Sequence, residues 1–357
     1  MSINYKDALD IITSKISVIS HTKEIPILDS VKHICAQDIY AIEDLPKYPI
    51  SLKDGFGILE NERYEVSTGD ILREGTIGVV PLEEIHLKKT VIKNQNIKEA
   101  AEDIKENELL LSRGDFIRAH SITSLVSQGF KSIRVFESPR VSILSIGDNL
   151  CPVEEDAKKC EVYNSNAVSL AARVLEIGAN IHHIKQCKNS IKDIIYTLNN
   201  LTKQSDFIIT TGAMSMHDAM SKAIYFESFD ILFHKVKIAP ATPSALTYLN
   251  DTPMLHLPGL PLSAMLGFEI LGVPTLKVIK NENLRSSKSI FVKNKDTFKC
   301  KESCTNAIPG HFDGQTFKSA ISFGAGMLNV LAKCNGYALI DNKTNIKKDE
   351  LVEFLFF

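Results

Sequence analysis

An apolar, β-branched run that ends on small polar residues constrains this chain more than any other feature. It is Ile208-Ile209-Thr210-Thr211-Gly212, followed by Ala213-Met214-Ser215-Met216-His217-Asp218. Such a run predicts a buried strand closing in a tight turn, with a helix starting soon after. In an open α/β sheet, ligands bind at that junction, beside the carboxyl ends of the strands. Small turn residues and helix amides let a phosphate approach the backbone there. A second turn, Leu257-Pro258-Gly259-Leu260-Pro261, follows another short apolar run, Met254 to Leu257. The two turns are either ordinary strand-to-helix connections or the walls of one shared ligand cleft.

Length and charge narrow the class. A chain of 357 residues has room for two or more domains. A net charge of −2 weighs against a nucleic-acid-binding surface, which needs a marked excess of Lys and Arg. The opening Met-Ser-Ile-Asn-Tyr-Lys-Asp has no basic-then-apolar leader, so no secretory signal is expected. No uncharged apolar run approaches the ~20 residues of a membrane span. Seven scattered cysteines fit a reducing cytosol better than a disulfide framework. The expectation is therefore a cytoplasmic protein with no nucleic-acid and no membrane partner. Cys300 and Cys304 have a spacing a metal can use, but no second pair matches them, which favours a structural role.

Residues 4–18 read as an amphipathic helix through Ala8, Leu9, Ile11, Ile12 and Ile16. Residues 44–57 carry two prolines and two glycines and are expected to be irregular. From Tyr64 to about Asn107, short runs such as Ile77 to Val80 and Thr90-Val91-Ile92 alternate with turns. Val141 to Ile146 reads as a buried strand, and Asn166 to Ile177 as a helix stopped by Gly178. Ala264 to Ile279 reads as a helix broken at Pro274. The expected limits are 1–41 for an N-terminal helix and linker segment, 42–108 for a β-rich domain and 109–138 for a linker segment. An α/β domain over 139–283 and a C-terminal β domain over 284–357 complete the chain.

In series, these motifs resemble those of the molybdopterin molybdenumtransferases, the MoeA and gephyrin E-domain family. Leu45-Pro46, Pro49, Ser51 and Asp54-Gly55-Phe56-Gly57 resemble its Leu-Pro…Ser-x-Met-Asp-Gly-Tyr-Ala signature. Ser67-Thr68-Gly69-Asp70, with Gly75, Val79-Val80 and Glu83, resembles its Thr-Gly-Ala…Gly…Val-Val…Glu segment. Glu102-Asp103-Ile104, Ser145 to Leu150, Asn164-Ser165-Asn166, Thr211 to Asp218, Pro240 with Pro243, Leu257 to Pro261, and Ser322 to Leu328 follow in the family's order.

The resemblance implies an α+β multidomain fold. It comprises an α/β molybdopterin-binding domain, a β-rich inserted domain and a C-terminal β-barrel-like domain. It also implies a homodimer, with the cleft between the α/β domain of one subunit and the β-rich domain of the other. The implied reaction is molybdenum cofactor biosynthesis: Mg²⁺-dependent insertion of molybdate into adenylylated molybdopterin, with release of AMP. The pterin is the small-molecule partner, and other molybdenum-cofactor enzymes are further candidate partners. On this carry-over, Asp54 and Asp103 are the catalytic residues and, with Asn149 as a weakened third ligand, the metal ligands. The substrate-binding set is Ser51, Thr68, Glu83, Thr211, Gly212, Ser215, Pro240, Pro243, Pro258, Gly259 and Pro261.

Each residue also has a plainer reading. Asp54 fits an Asx-type turn before Gly55 equally well. Asp103 and Glu83 read as solvated charges, and Asp148 and Asp218 as caps or turn residues. Lys237 reads as a solvated strand-edge lysine. Adjacent His182 and His183 point to opposite faces of a strand, so one metal cannot take both.

The departures from the family run one way. Acids are expected where Asn149, Asn189 and Met220 stand. The two lysines of Lys-Pro-Gly-Lys-Pro are Ala239 and Thr242, and the asparagine of Leu-Pro-Gly-Asn-Pro is Leu260. His217 stands where a glycine is expected. Asparagine ligates Mg²⁺ only weakly, and a methionine thioether does not ligate a hard cation. Two hypotheses follow: an active insertase, or a catalytically degenerate paralogue that binds a pterin or acts as a scaffold.

Overall fold

A computed structural model describes all residues except Met1, 87–90, 227, 284–288 and 321–323. The chain divides into two compact units, Thr22–Val135 and a second made of Met1–His21 with Phe136–Phe357.

The larger unit is built on a six-stranded sheet. Its order is Asn180–Cys187, Arg140–Ile146, Phe207–Thr211, Thr252–Leu257, Ala245–Leu249, Asp230–His234. The first four strands are parallel, and the last two are added antiparallel. Burial on both faces explains the near-continuous apolar runs of the central strands. Val141 and Ile143 point into a core shared with Leu170 and Val174 of the helix Ser165–Glu176. Leu144 and Ile146 point the other way, onto Ile194 and Leu198 of the helix Ile191–Leu201. The N-terminal helix Tyr5–Lys15 buries Ala8 and Ile12 in the first of these cores. Gly178, at φ +76°, follows the Ser165–Glu176 helix as expected.

Pro274 does not break its helix. The chain runs helically from Pro261 to Ile279, through a π-helical turn at Phe268–Gly272. That turn shifts the hydrogen-bond ladder just before the proline, so the missing N–H falls where the ladder is already interrupted. This helix has the length and hydropathy of a membrane span, but 78% of its most apolar window is buried inside the fold. Its one buried acid, Glu269, pairs with Arg173 through two bonds, Nε–Oε1 at 2.7 Å and Nη2–Oε2 at 3.1 Å.

The C-terminal part forms a closed barrel. Strands Thr305–Phe312, Thr316–Ser319, Ser289–Asn294, Leu351–Phe356 and Gly336–Asp341 pair in that order, and the last pairs back to the first. Val292, Ile308, Phe317, Val352 and Phe354 fill it. Residues 321–323, at the start of the expected Ser322–Leu328 motif, lie outside the described residues.

In the smaller unit, the strand Gly55–Ile58 sits between Arg63–Val66 and Gly78–Pro81 in an antiparallel sheet. The stretch expected to be irregular therefore holds a central strand. Its glycines serve close packing: a Cβ on Gly55 would lie 2.0 Å from the Val80 carbonyl oxygen, and one on Gly57 2.5 Å from the Tyr64 ring. Thr90 lies outside the described residues, and Val91 and Ile92 form no strand. Residues 109–138 are not a bare linker. They hold the strand Leu109–Leu111, the helix Ala119–Ser127 and the strand Ser132–Phe136. Leu111, Leu125, Ile133 and Val135 pack there with Cys35 and Ile39.

Candidate functional site

The two turns singled out in the sequence stand side by side at the carboxyl end of the parallel strands. Thr211 lies opposite Leu257 in the parallel register. The Gly212 N–H donates to the Leu257 carbonyl at 3.1 Å, and Thr211 Oγ1 donates to the Pro258 carbonyl at 2.9 Å. Asn166, near the start of its helix, donates from Nδ2 to Thr211 Oγ1 at 3.1 Å and to the Gly259 carbonyl at 2.8 Å. One carboxamide thus ties both turns to a third element. Only glycine fits at 212: φ is +98°, and a Cβ would lie 2.3 Å from the Ile146 carbonyl oxygen. Thr211 and Pro258 are buried, while Ser215, Gly259, Leu260 and His217 are exposed. The helix beginning at Pro261 does not leave its first amides open. Leu262 and Ser263 both donate to the Ala325 carbonyl, at 3.0 and 3.4 Å.

Below the first turn lies a run of internal caps. Asp148 Oδ1 accepts from the Asn189 N–H at 3.1 Å, and Asn189 Oδ1 accepts from the Ala219 N–H at 3.1 Å. Asp218 Oδ2 accepts from the Ser215 N–H at 3.0 Å. Asp148 and Asp218 therefore tie loop amides as turn residues do, the plainer of their two readings. Met220 is fully buried among Leu144, Ile194 and Met254. Asn149 is exposed.

The loop of Pro240 and Pro243 turns its middle inward. Ala241 is fully buried, and Thr242 Oγ1 donates to the Ile238 carbonyl at 2.8 Å. A Cβ on Gly267 would meet Ala241 at 3.1 Å, so loop and helix are in close contact. No lysine comes from this loop. Lys237 is exposed and lines a cavity of about 300 Å³ with Asp7, Asp341 and Glu353, not the Thr211 turn.

In the smaller unit, Asp54 and Thr68 come together. Asp54 Oδ1 accepts from the Thr68 N–H at 2.6 Å, and this bond, with the Thr68 side chain, holds the carboxyl below its usual range. The Leu82 N–H donates to the Asp54 carbonyl at 3.1 Å, which brings the exposed Glu83 turn alongside. Ser51 is fully buried, and its hydroxyl donates to the Lys53 carbonyl at 2.6 Å. Asp103 is ion-paired with Lys98 at 2.8 Å.

These donors do not fit a divalent cation at the strand-end turns. Mg²⁺ needs hard, mostly anionic oxygens. Asp148, Asp218 and Asn189 each give one oxygen to a backbone N–H, and Met220 is core. Among the described residues, no group of three or more His, Cys, Asp or Glu side chains is placed to hold a metal. What the junction offers is a pair of glycine turns held by neutral hydrogen-bonding groups, with Ser215, Gly259 and Leu260 exposed beside them.

Sequence reasoning missed the bridging role of Asn166 and the capping role of Asn189. The signal for Asn166 was present, since Asn164-Ser165-Asn166 marks a helix start. The Asn189 cap joins residues distant in sequence, which no local pattern reports.

Comparison with known proteins agrees with this geometry. Residues 3–129 match the family described as "MoeA N-terminal region (domain I and II)". Residues 142–278 match the "Probable molybdopterin binding domain" family. The molybdopterin molybdenumtransferase of Bacillus subtilis is 23% identical over 372 residues, covering 90% of this chain and 86% of that protein. The enzyme of the same name from Staphylococcus aureus is 24% identical over 292 residues, covering 70% of this chain and 69% of that protein. A crystal structure of the molybdopterin biosynthesis MoeA protein from Pyrococcus horikoshii superposes over 100% of both chains, with a TM-score of 0.84 and 20% identity, and shows the same fold. The chain thus belongs to the MoeA family, the molybdopterin molybdenumtransferases of molybdenum cofactor biosynthesis.

Proposed function

We propose that this chain binds adenylylated molybdopterin in molybdenum cofactor biosynthesis, with the pterin's phosphate end at the paired turns. The observation that carries this reading is the Asn166 carboxamide bridging Thr211 and Gly259. It fixes two glycine turns at the ligand-binding end of a parallel sheet. Thr211, Gly212 and Ser215 take the phosphate end in this reading, and Pro240, Pro243, Pro258, Gly259 and Pro261 shape the pterin pocket. Asp54, Asp103, Glu83 and Thr68 serve molybdate, the oxyanion co-substrate. The domain limits 42–108, 139–283 and 284–357, a homodimeric state and a cytoplasmic setting belong to the same proposal.

Two fates for the bound ligand follow. The first is Mg²⁺-dependent molybdate insertion with release of AMP. The second is retention of the pterin by a catalytically reduced relative that hands it on to other molybdenum-cofactor enzymes. The hydrogen bonds of Asp148, Asn189 and Asp218 to backbone amides support the second, because they hold these turns without an ion.

Calorimetric titration of adenylylated molybdopterin, followed by an assay for AMP with molybdate and Mg²⁺, tests both. Binding without AMP release supports retention, and AMP release supports insertion. No binding overturns the pterin reading.

A further inference from the structure

The strand-end site has carboxylates close by, yet both are turned to structural use. Asp148 accepts the Asn189 N–H, and Asp218 accepts the Ser215 N–H. Asn189 in turn caps Ala219, the first residue of the helix Ala219–Phe226. The hydrogen bonds Asp148–Asn189–Ala219 therefore clamp the end of the loop that carries Ser215 without any ion. Met220, next in the chain, is locked into the core beneath it. A cation arriving here finds an amide oxygen already accepting a hydrogen, a thioether in the core and two carboxylates that each give one oxygen to a backbone N–H. Mg²⁺ gives up its waters only to a well-shaped oxygen cage, and sulfur does not replace those oxygens.

We propose that the strand-end site of this chain takes its anionic ligand without a divalent cation, the Asp148–Asn189–Ala219 hydrogen bonds ordering the loop in the cation's place. This rests on the pterin reading for the identity of the ligand, but not for the property of the site. The acids of the smaller unit, Asp54 and Asp103, are outside the claim.

The full-length chain is titrated with adenylylated molybdopterin in excess EDTA and again in Mg²⁺. A Kd equal within about twofold in the two buffers supports the inference, and a gain of about tenfold or more with Mg²⁺ overturns it. Absence of binding in both buffers overturns the pterin reading instead. The metal is then tested alone, by titrating Mn²⁺ into the same protein and following its EPR signal. Mn²⁺ uptake that survives the double substitution Asp54→Asn and Asp103→Asn overturns the inference. No uptake, or uptake that the double substitution abolishes, supports it.

Discussion

A Cβ built on Gly259 would lie 3.2 Å from the Cα of Gly212. The two turns therefore touch backbone to backbone, with little room for adjustment. Gly212 is the more constrained, with its positive φ and the Ile146 carbonyl behind it. Gly212→Ala is expected to cost about 2–3 kcal/mol or more in stability and to abolish pterin binding. Urea unfolding monitored by circular dichroism checks the first, and calorimetry the second. An unchanged midpoint would mean that the turn relaxes freely.

Asn189→Ala removes the acceptor for the Ala219 N–H. A lost cap of this kind costs about 1 kcal/mol. Asn189→Asp keeps an acceptor oxygen and is expected to lose less. Thermal melts of the two variants should rank in that order, and the reverse order would remove the cap from the account.

Arg173 and Glu269 form a nearly buried ion pair. Burial pushes the Glu269 carboxyl up, while Arg173 opposes it. Arg173→Met leaves that carboxylate with no cation and is expected to destabilise by roughly 3–5 kcal/mol. Adding Glu269→Gln to the variant is expected to restore much of the loss. A double-mutant cycle in urea measures the coupling, and a value near zero would contradict the pairing.

His256 is fully buried, with Nδ1 2.8 Å from Thr210 Oγ1 and Nε2 2.9 Å from Thr247 Oγ1. Burial pushes its pKa down to about 3, with His234 nearby adding to the shift. The folded state thus holds the neutral ring, and only the unfolded state protonates near the ordinary value. The stabilisation is complete above about pH 6.5 and is lost progressively as pH falls toward about 3. Its slope approaches about 1.4 kcal/mol per pH unit. Unfolding free energies between about pH 7 and pH 4 should fall more steeply for the wild type than for His256→Gln. Parallel curves would mean that the ring titrates normally.

Much of the larger unit was legible because its signals are local. The apolar run into Thr211-Gly212 and the Gly178 stop each depend on neighbours in sequence. Pro274 was misread because sequence carries no sign of the π-turn that accommodates it. Gly55 and Gly57 were misread as loop residues because glycine marks close approach as readily as a turn. The 14-residue step from Asp54 to Thr68 becomes contact only through a hairpin register, Gly55 opposite Val66. The acids at 148 and 218 were visible, but whether a carboxylate meets a metal or an amide is decided in three dimensions.

The Ala325 carbonyl that closes the first turn of the Pro261 helix has a consequence for how this protein is made. On the ribosome, the helix and its ligand turn emerge well before the acceptor that completes them. Until residue 325 leaves the exit tunnel, the Leu262 and Ser263 amides face water. A nascent chain arrested before that point would lack the acceptor that joins these two amides in the finished protein.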